Sequence, residues 1–166
     1  NVQIFEENTN SDAIKTVGVF VNETLENLVT IAKEANLDAV QLHGDEDEAF
    51  IQALKEKIDV EVWKAVQIRS AADAEAWIDS SADMLLFDAY HKDERGGTGE
   101  VFDWSCLDEF ERPFMLAGGI DSTNVARAIR TVRPYGIDIS SGIETDGVKD
   151  DEKIKAFTNI VRTIAH

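Results

Sequence analysis

Short apolar, β-branched runs recur along the chain at Val17–Val21, Ala39–His43, Val62–Ile68, Met84–Ala89, Phe114–Gly119 and Gly136–Gly142. From first residue to first residue they lie 22, 23, 22, 30 and 22 positions apart. Between them, apolar residues return at helical spacing. Leu25, Leu28, Ile31 and Ala32 form one stripe, and Phe50, Leu54 and Ile58 a second. Val125, Ala128, Ile129 and Val132 form a third, and Ile154, Phe157, Ile160, Val161 and Ile164 a fourth. Steps of three and four place side chains on one helix face, whereas an unbroken apolar run suits a strand buried on both faces. The pattern therefore predicts strands alternating with helices, hence a parallel sheet covered by helices. Asp121 and Ser122 supply turn and cap chemistry before a helix starting near Thr123. Pro113 and Pro134, the two prolines, each stand just before a strand, where a missing N–H interrupts nothing.

Six such units fit either a doubly wound sheet or a TIM (β/α)8 barrel, and two features favour the barrel. No G-x-G-x-x-G follows an early strand, so the dinucleotide-binding fingerprint is absent. The last two strands end in glycine-bearing turns, Gly118-Gly119 and Ser140-Ser141-Gly142. A β/α barrel characteristically binds phosphate with the loops after its last two strands, where glycine lets backbone N–H groups approach an anion. The length leaves a deficit: a whole barrel needs at least about 200 residues, and six strands are legible where eight are required. The expectation is one domain over residues 1–166 carrying strands 3 to 8 of a barrel, with the first two strands missing before Asn1. Two parallel edges would then stand open unless residues 1–16 or a partner cover them.

Composition narrows the class. The chain has 166 residues, 43% apolar, with eight Phe and three Trp, enough for a sizeable core. No apolar run reaches the roughly 18 residues needed to span a bilayer, so no membrane association is expected. Sixteen basic and 33 acidic side chains give a net charge of −17, which phosphate backbones would repel, so no nucleic-acid partner is expected. A lone cysteine, Cys106, forbids an internal disulfide and a Cys-rich zinc site, and His43, His91 and His166 lie too far apart for a metal-spaced cluster. The reading is of a soluble protein of a reducing, cytoplasmic compartment.

The motifs Val17–Asn22 (VGVFVN), Val40–Gly44 (VQLHG), Gly96–Gly99 (GGTG), Phe102–Trp104 (FDW), Leu116–Gly119 (LAGG), Asp138–Glu144 (DISSGIE) and Lys149-Asp150 occur in that order. Each is weak alone; in this order, from about residue 14 onward, the set resembles phosphoribosylanthranilate isomerase of tryptophan biosynthesis. The resemblance implies a (β/α)8 barrel, no metal or organic cofactor, and a small phosphorylated substrate. The implied reaction is an Amadori rearrangement of N-(5-phosphoribosyl)anthranilate to the 1-deoxyribulose 5-phosphate form. It needs an acid to open the furanose ring and a base to remove the C2′ proton. The family's acid is an aspartate on the sixth barrel strand, a position Asp88 matches. Its base is a cysteine in a K-x-C-G motif on the first strand, and an arginine in an S-x-R loop helps hold the anthranilate. Neither motif occurs in these 166 residues, and Cys106, which follows FDWS, does not replace the first.

The expected catalytic residue is therefore Asp88, and the expected substrate- or phosphate-binding residues are Gly118, Gly119, Ser140, Ser141, Gly142, His43 and Asp138. Each has a structural alternative. Asp88 stands at a strand's C-terminal end, where barrel catalysis occurs, yet an aspartate there also suits a turn or cap. The two glycine turns read alone as tight turns, but pairing them on adjacent closing strands lets one anion be gripped from both. His43 serves either the substrate or the structure. Lys64 lies inside an apolar strand, where an unpaired ammonium is costly. An ion pair with a carboxylate such as Asp138, or a positive field for a phosphorylated substrate, would account for it. Asp83, Asp93 and Asp103 read as surface or structural, and Gly96–Gly99 as either a closing loop or a flexible connection. The acidic runs Gly44–Glu48 and Lys149–Glu152 read as solvated loop and helix-start residues.

Three functions follow: the isomerase, a catalytically incomplete phosphosugar-binding fragment or subunit, and another phosphosugar barrel enzyme such as an epimerase. The third is disfavoured because metal-dependent epimerases need ligands on several strand ends, and only His43 is so placed. An oligomer, or an N-terminal segment completing the barrel, is the expected partner.

Overall fold

The computed structural model describes residues 2–6, 14–89 and 103–164. They form two compact units, residues 1–66 with 79–85 and residues 67–78 with 86–166. In the first, β1 (Val2–Glu6), β2 (Ile14–Phe20), β3 (Ala39–Leu42) and β4 (Glu61–Ile68) run side by side in chain order, with α1 (Leu25–Glu34) and α2 (Glu48–Lys55) between them. β2, β3 and β4 are parallel, with Val17 opposite Ala39 and Leu42 opposite Lys64. All four residues of β3 are buried, as a strand covered on both faces requires. Leu28 and Ala32 of α1 and Leu54 of α2 face the core as the stripes read from the sequence require, but Ile51 rather than Phe50 is the buried partner of Leu54, and Ile31 is exposed.

α3 (Ala71–Glu75), β5 (Met84–Ala89), β6 (Phe114–Ala117), α4 (Val125–Val132), β7 (Gly136–Ile137), the hairpin β8 (Glu144–Thr145) and β9 (Val148–Lys149), and α5 (Asp151–Ile164) follow. In the second unit β6 and β7 pair in parallel, Leu116 opposite Ile137. Phe87 of β5 is fully buried and meets Phe110 edge-on at 4.9 Å and Phe114 at 5.1 Å between ring centroids. No helix among the described residues is long and apolar enough to cross a membrane.

Three differences from the expected elements have physical causes. β1 was not anticipated; it pairs antiparallel with β2, Val2 opposite Gly18 through Glu6 opposite Ile14, and so occupies the outer edge of β2. β6 stops at Ala117 because Gly118 and Gly119 take φ of +84° and +60°. The hairpin β8–β9 turns on Asp146-Gly147, both with positive φ as a two-residue hairpin turn demands, so Lys149 belongs to a strand rather than to a helix start.

Aspartates and glutamates at the strand starts act structurally. Asp83 accepts from the Val62 N–H at 2.8 Å and pairs with Lys55 at 2.5 Å, and Asp103 accepts from the Ser105 N–H. Asp93 and the Gly96–Gly99 segment lie outside the described residues. Asp47 caps α2 by accepting from the Phe50 N–H at 2.9 Å. Beside it, Glu48 accepts from the Ser80 hydroxyl at 2.7 Å and the Ser81 N–H at 2.8 Å. Partial burial opposes ionisation of Glu48, but the hydrogen bonds from Ser81 and Ser80 prevail and hold its carboxyl down to about 2.

Two outcomes follow from this packing. Phe87→Ala should lower unfolding free energy by about 3–5 kcal/mol in denaturant titration, while Val148→Ala, largely exposed, should stay within about 0.5 kcal/mol. Glu48→Gln removes a group whose folded value, about 2, lies below its ordinary 4.5. The wild-type advantage is therefore complete above the ordinary value and is lost as pH falls through that window towards about 2. Unfolding of both proteins at about pH 6 and about pH 2.5 should show an advantage of about 1 kcal/mol at the former and a much smaller one at the latter.

Candidate active site

The sequence-predicted residues fall at C-terminal strand ends in both units, and each unit has its own geometry. In the second, Asp88 is the penultimate residue of β5 and half-buried. A Cβ added to Gly118 would lie 2.5 Å from Asp88 Oδ1 and 2.6–2.7 Å from the Ala89 backbone. The turn after β6 thus runs directly against the end of β5, and only glycine combines that approach with a φ of +84°. The same crowding recurs one turn on. A Cβ on Gly142 would stand 2.1 Å from the Ile120 carbonyl oxygen and 3.1 Å from Asp121 Cα. Asp88, Gly118, the Gly119–Asp121 turn and Gly142 are therefore held in series by glycine-only contacts.

The chain leaves β7 for this contact early. The Asp138 N–H still donates to the Leu116 carbonyl at 2.9 Å, continuing the ladder, and Ser141–Ile143 then form one 3-10 turn. Gly119, Ser140 and Ser141 are exposed, while Asp138 and Gly142 are half-buried. Lys149 donates to the Ser140 carbonyl at 2.9 Å and pairs with Glu144 at 2.7 Å, which places a cation beside the Ser140–Gly142 turn. The Asp121 carboxylate accepts from the Thr123 and Asn124 N–H groups, and the Asn124 amide donates to the Gly119 carbonyl at 2.7 Å, fixing the turn from below. Two glycine turns with adjoining backbone and a nearby ammonium are the architecture of an anion cradle.

In the first unit His43 follows β3. Its N–H donates to the Phe20 carbonyl at 2.8 Å, and its ring Nδ1 lies 2.8 Å from Gln41 Oε1. An amide oxygen accepts only, so this contact is a hydrogen bond in the tautomer that carries the proton on Nδ1. Gln41 is buried, and its Nε2 has no hydrogen-bond partner among the described residues. Lys64 is paired with Glu46 at 3.3 Å, both side chains 3% exposed, and donates to the Gly44 carbonyl at 2.6 Å.

Glu46 and Gln41 are the residues that sequence reasoning missed. Glu46 sat inside an acidic run read as solvated, whereas it is buried. Cys106 lies in the 3-10 turn Trp104–Leu107, where burial pushes its thiol above the ordinary value and Asp103 adds to the effect. A thiol held protonated in this way is not a general base. Among the described residues no cluster of His, Cys, Asp or Glu is placed to hold a metal ion.

With this geometry in view, the comparisons with known proteins are specific. The family model for N-(5'-phosphoribosyl)anthranilate isomerase matches residues 1–160. The chain is 46% identical over 153 residues to the isomerase of Endomicrobium trichonymphae, covering 92% of this chain and 75% of that protein. Among solved structures it resembles phosphoribosyl anthranilate isomerase from Thermotoga maritima, with a TM-score of 0.76 and 37% identity over 89% of this chain and 72% of that one. A further structure of this enzyme, in complex with reduced 1-(o-carboxyphenylamino)-1-deoxyribulose 5-phosphate, gives a TM-score of 0.74 and 34% identity over 89% and 71%. The strands and helices of the two units match those of (β/α)8-barrel proteins, and the chain belongs to the N-(5'-phosphoribosyl)anthranilate isomerase family.

Proposed function

We infer that the protein serves tryptophan biosynthesis as an isomerase, catalysing the Amadori rearrangement of N-(5-phosphoribosyl)anthranilate to 1-(2-carboxyphenylamino)-1-deoxyribulose 5-phosphate. The observation that carries the reading within the structure is the contact between Gly118 and Asp88, which joins an acid to an anion cradle. Asp88 is the general acid. It protonates the furanose ring oxygen as the bond to C1′ breaks, and the nitrogen lone pair forms the Schiff base. A base then takes the C2′ proton, and protonation at C1′ delivers the ketose. Gly118, Gly119, Ser140, Ser141 and Gly142 hold the phosphate, with His43 and Asp138 binding the rest of the substrate. A relative's structure with a phosphorylated product analogue supports this assignment.

On this reading residues 1–166 belong to one barrel domain, contribute strands 3 to 8, and work in the cytoplasm. The base is the cysteine of the family's K-x-C-G motif. That motif is not among these residues, so the β-α-β segment that carries it, or a second subunit, supplies it.

Two measurements test the reading. Isothermal titration with ribose 5-phosphate should give at least tenfold weaker binding for Gly119→Asp than for wild type, because a carboxylate then occupies the exposed cradle. Unchanged affinity would move the anion site elsewhere. In a fluorescence assay of phosphoribosylanthranilate turnover, the 166-residue polypeptide alone should run about 10²–10⁴-fold below ordinary enzyme rates for want of a general base. Adding the N-terminal β-α-β segment of a family member should restore turnover, and Asp88→Asn should then abolish most of it. Sugar-phosphate binding without turnover in both forms would identify a phosphosugar-binding subunit; ordinary rates from the 166 residues alone would show that a different base operates.

A further inference from the structure

A buried ion pair between β4 and the turn after β3 is not used by any step above, although it grips both backbone polar groups of the residue that follows His43. Lys64 stands opposite Leu42 in the parallel register, so its side chain reaches the turn that follows β3. There Nζ donates to the Gly44 carbonyl at 2.6 Å and meets Glu46 Oε2 at 3.3 Å. The same carboxylate accepts from the Gly44 N–H through Oε2 at 2.9 Å and from the Asn22 N–H through Oε1 at 2.7 Å. Asn22, at a φ of +52°, closes the circuit: its Oδ1 accepts from the Asp45 N–H at 2.7 Å, and its amide donates to Asp45 at 3.2 Å. Both polar groups of the Gly44 backbone are thus held by the ion pair, and the turn after β2 is tied to the turn after β3. Gly44 has no room to move towards Asn22, since a Cβ there would lie 2.4 Å from Asn22 Oδ1.

The residue immediately before Gly44 is His43. Its own N–H is fixed by Phe20 and its ring by Gln41. A buried ammonium and carboxylate are costly to desolvate, and replacing such a pair with apolar residues is often neutral or stabilising. Stability alone therefore gives a poor account of why the pair sits here, whereas a fixed imidazole gives a direct one. We propose that Lys64 and Glu46 are positioning residues for the isomerisation: through the Gly44 backbone they hold the His43 ring against Gln41 with the proton on Nδ1. The proposal rests on the reading of His43 as a substrate-binding residue, and the test separates the two.

The first readout does not involve substrate. Long-range proton–nitrogen correlation spectra of the 166-residue chain, taken at about pH 8.5, above the ordinary imidazole range, report the tautomer of each histidine. Wild type should show His43 as the Nδ1–H form alone, and Lys64→Met and Glu46→Gln should both convert it to a mixture, with His91 and His166 as internal references. The second readout is binding of reduced 1-(o-carboxyphenylamino)-1-deoxyribulose 5-phosphate. Each variant should weaken it about tenfold in the wild-type background and not at all in a His43→Asn background, since residues acting through one group are not additive. If Lys64→Met does not fold, the nearly isosteric Glu46→Gln carries the test. An unchanged tautomer in folded variants, or equal losses in both backgrounds, overturns the proposal and leaves the pair a structural one. If His43→Asn itself leaves binding unchanged, the assignment of His43 fails, and the tautomer measurement alone decides whether the pair positions the ring.

Discussion

A strand covered on both faces leaves a polar side chain nowhere to go except its ends. β3 and β6 are buried at all four of their residues, and in β5 only Met84 and Asp88 are less than buried. The consequence is spatial: His43, Asp88, Gly118 and Asp138 are found where strands end, because the strand interiors cannot hold them. Alongside the buried Gln41 of β3, Lys64 is an exception that shows the force of the constraint. It lies mid-strand, 3% exposed, and is tolerated because its ammonium reaches out of the core to Gly44 and Glu46. The cost of that burial is what gives the pair its grip on the turn.

Most of the fold was legible for the same reason. Buried parallel strands read as unbroken apolar runs, so Ala39–Leu42, Met84–Ala89 and the start of Phe114–Ala117 were bounded closely from residue types alone. The run Gly136–Gly142 was read too long: pairing of β7 ends at Ile137, because the chain must turn at Ser140 to bring Gly142 against Ile120. No local pattern encodes a contact made 22 residues away. The Asp146-Gly147 turn was readable, since Asp-Gly is a strong hairpin signal, but the short flanks Glu144–Thr145 and Val148–Lys149 are too polar to announce strands. β1 lies well before Val17–Val21, the first apolar run legible in the sequence.

The site was legible where chemistry is tied to a strand end and illegible where it depends on burial of a charge. Asp88 and the glycine turns stood out because the sequence places them directly after apolar runs. Glu46 did not, because one carboxylate in Gly44-Asp45-Glu46-Asp47-Glu48 cannot be told from its neighbours by type. In space the four carboxylates separate: Asp45 holds Asn22, Asp47 caps α2, Glu48 takes Ser80 and Ser81, and Glu46 turns inward to Lys64. An acidic run read as one solvated feature is four carboxylates with four different tasks.

The glycines carry a last consequence. Gly118 is confined by the Asp88 carboxylate and the Ala89 backbone, and Gly142 by the Ile120 carbonyl, so the end of β5 and the turns after β6 and β7 are packed as one piece of backbone. A methyl group at Gly118 would have to displace either the proposed acid or the main chain that carries it. On the proposed reading, the contacts that place the acid also shape the phosphate cradle, so displacement of one disturbs the other. The coupling suits a reaction in which the proton must reach a ring oxygen whose position is fixed by the phosphate at the far end of the sugar: binding energy gathered at the phosphate is realised at the acid only if the two are rigidly joined.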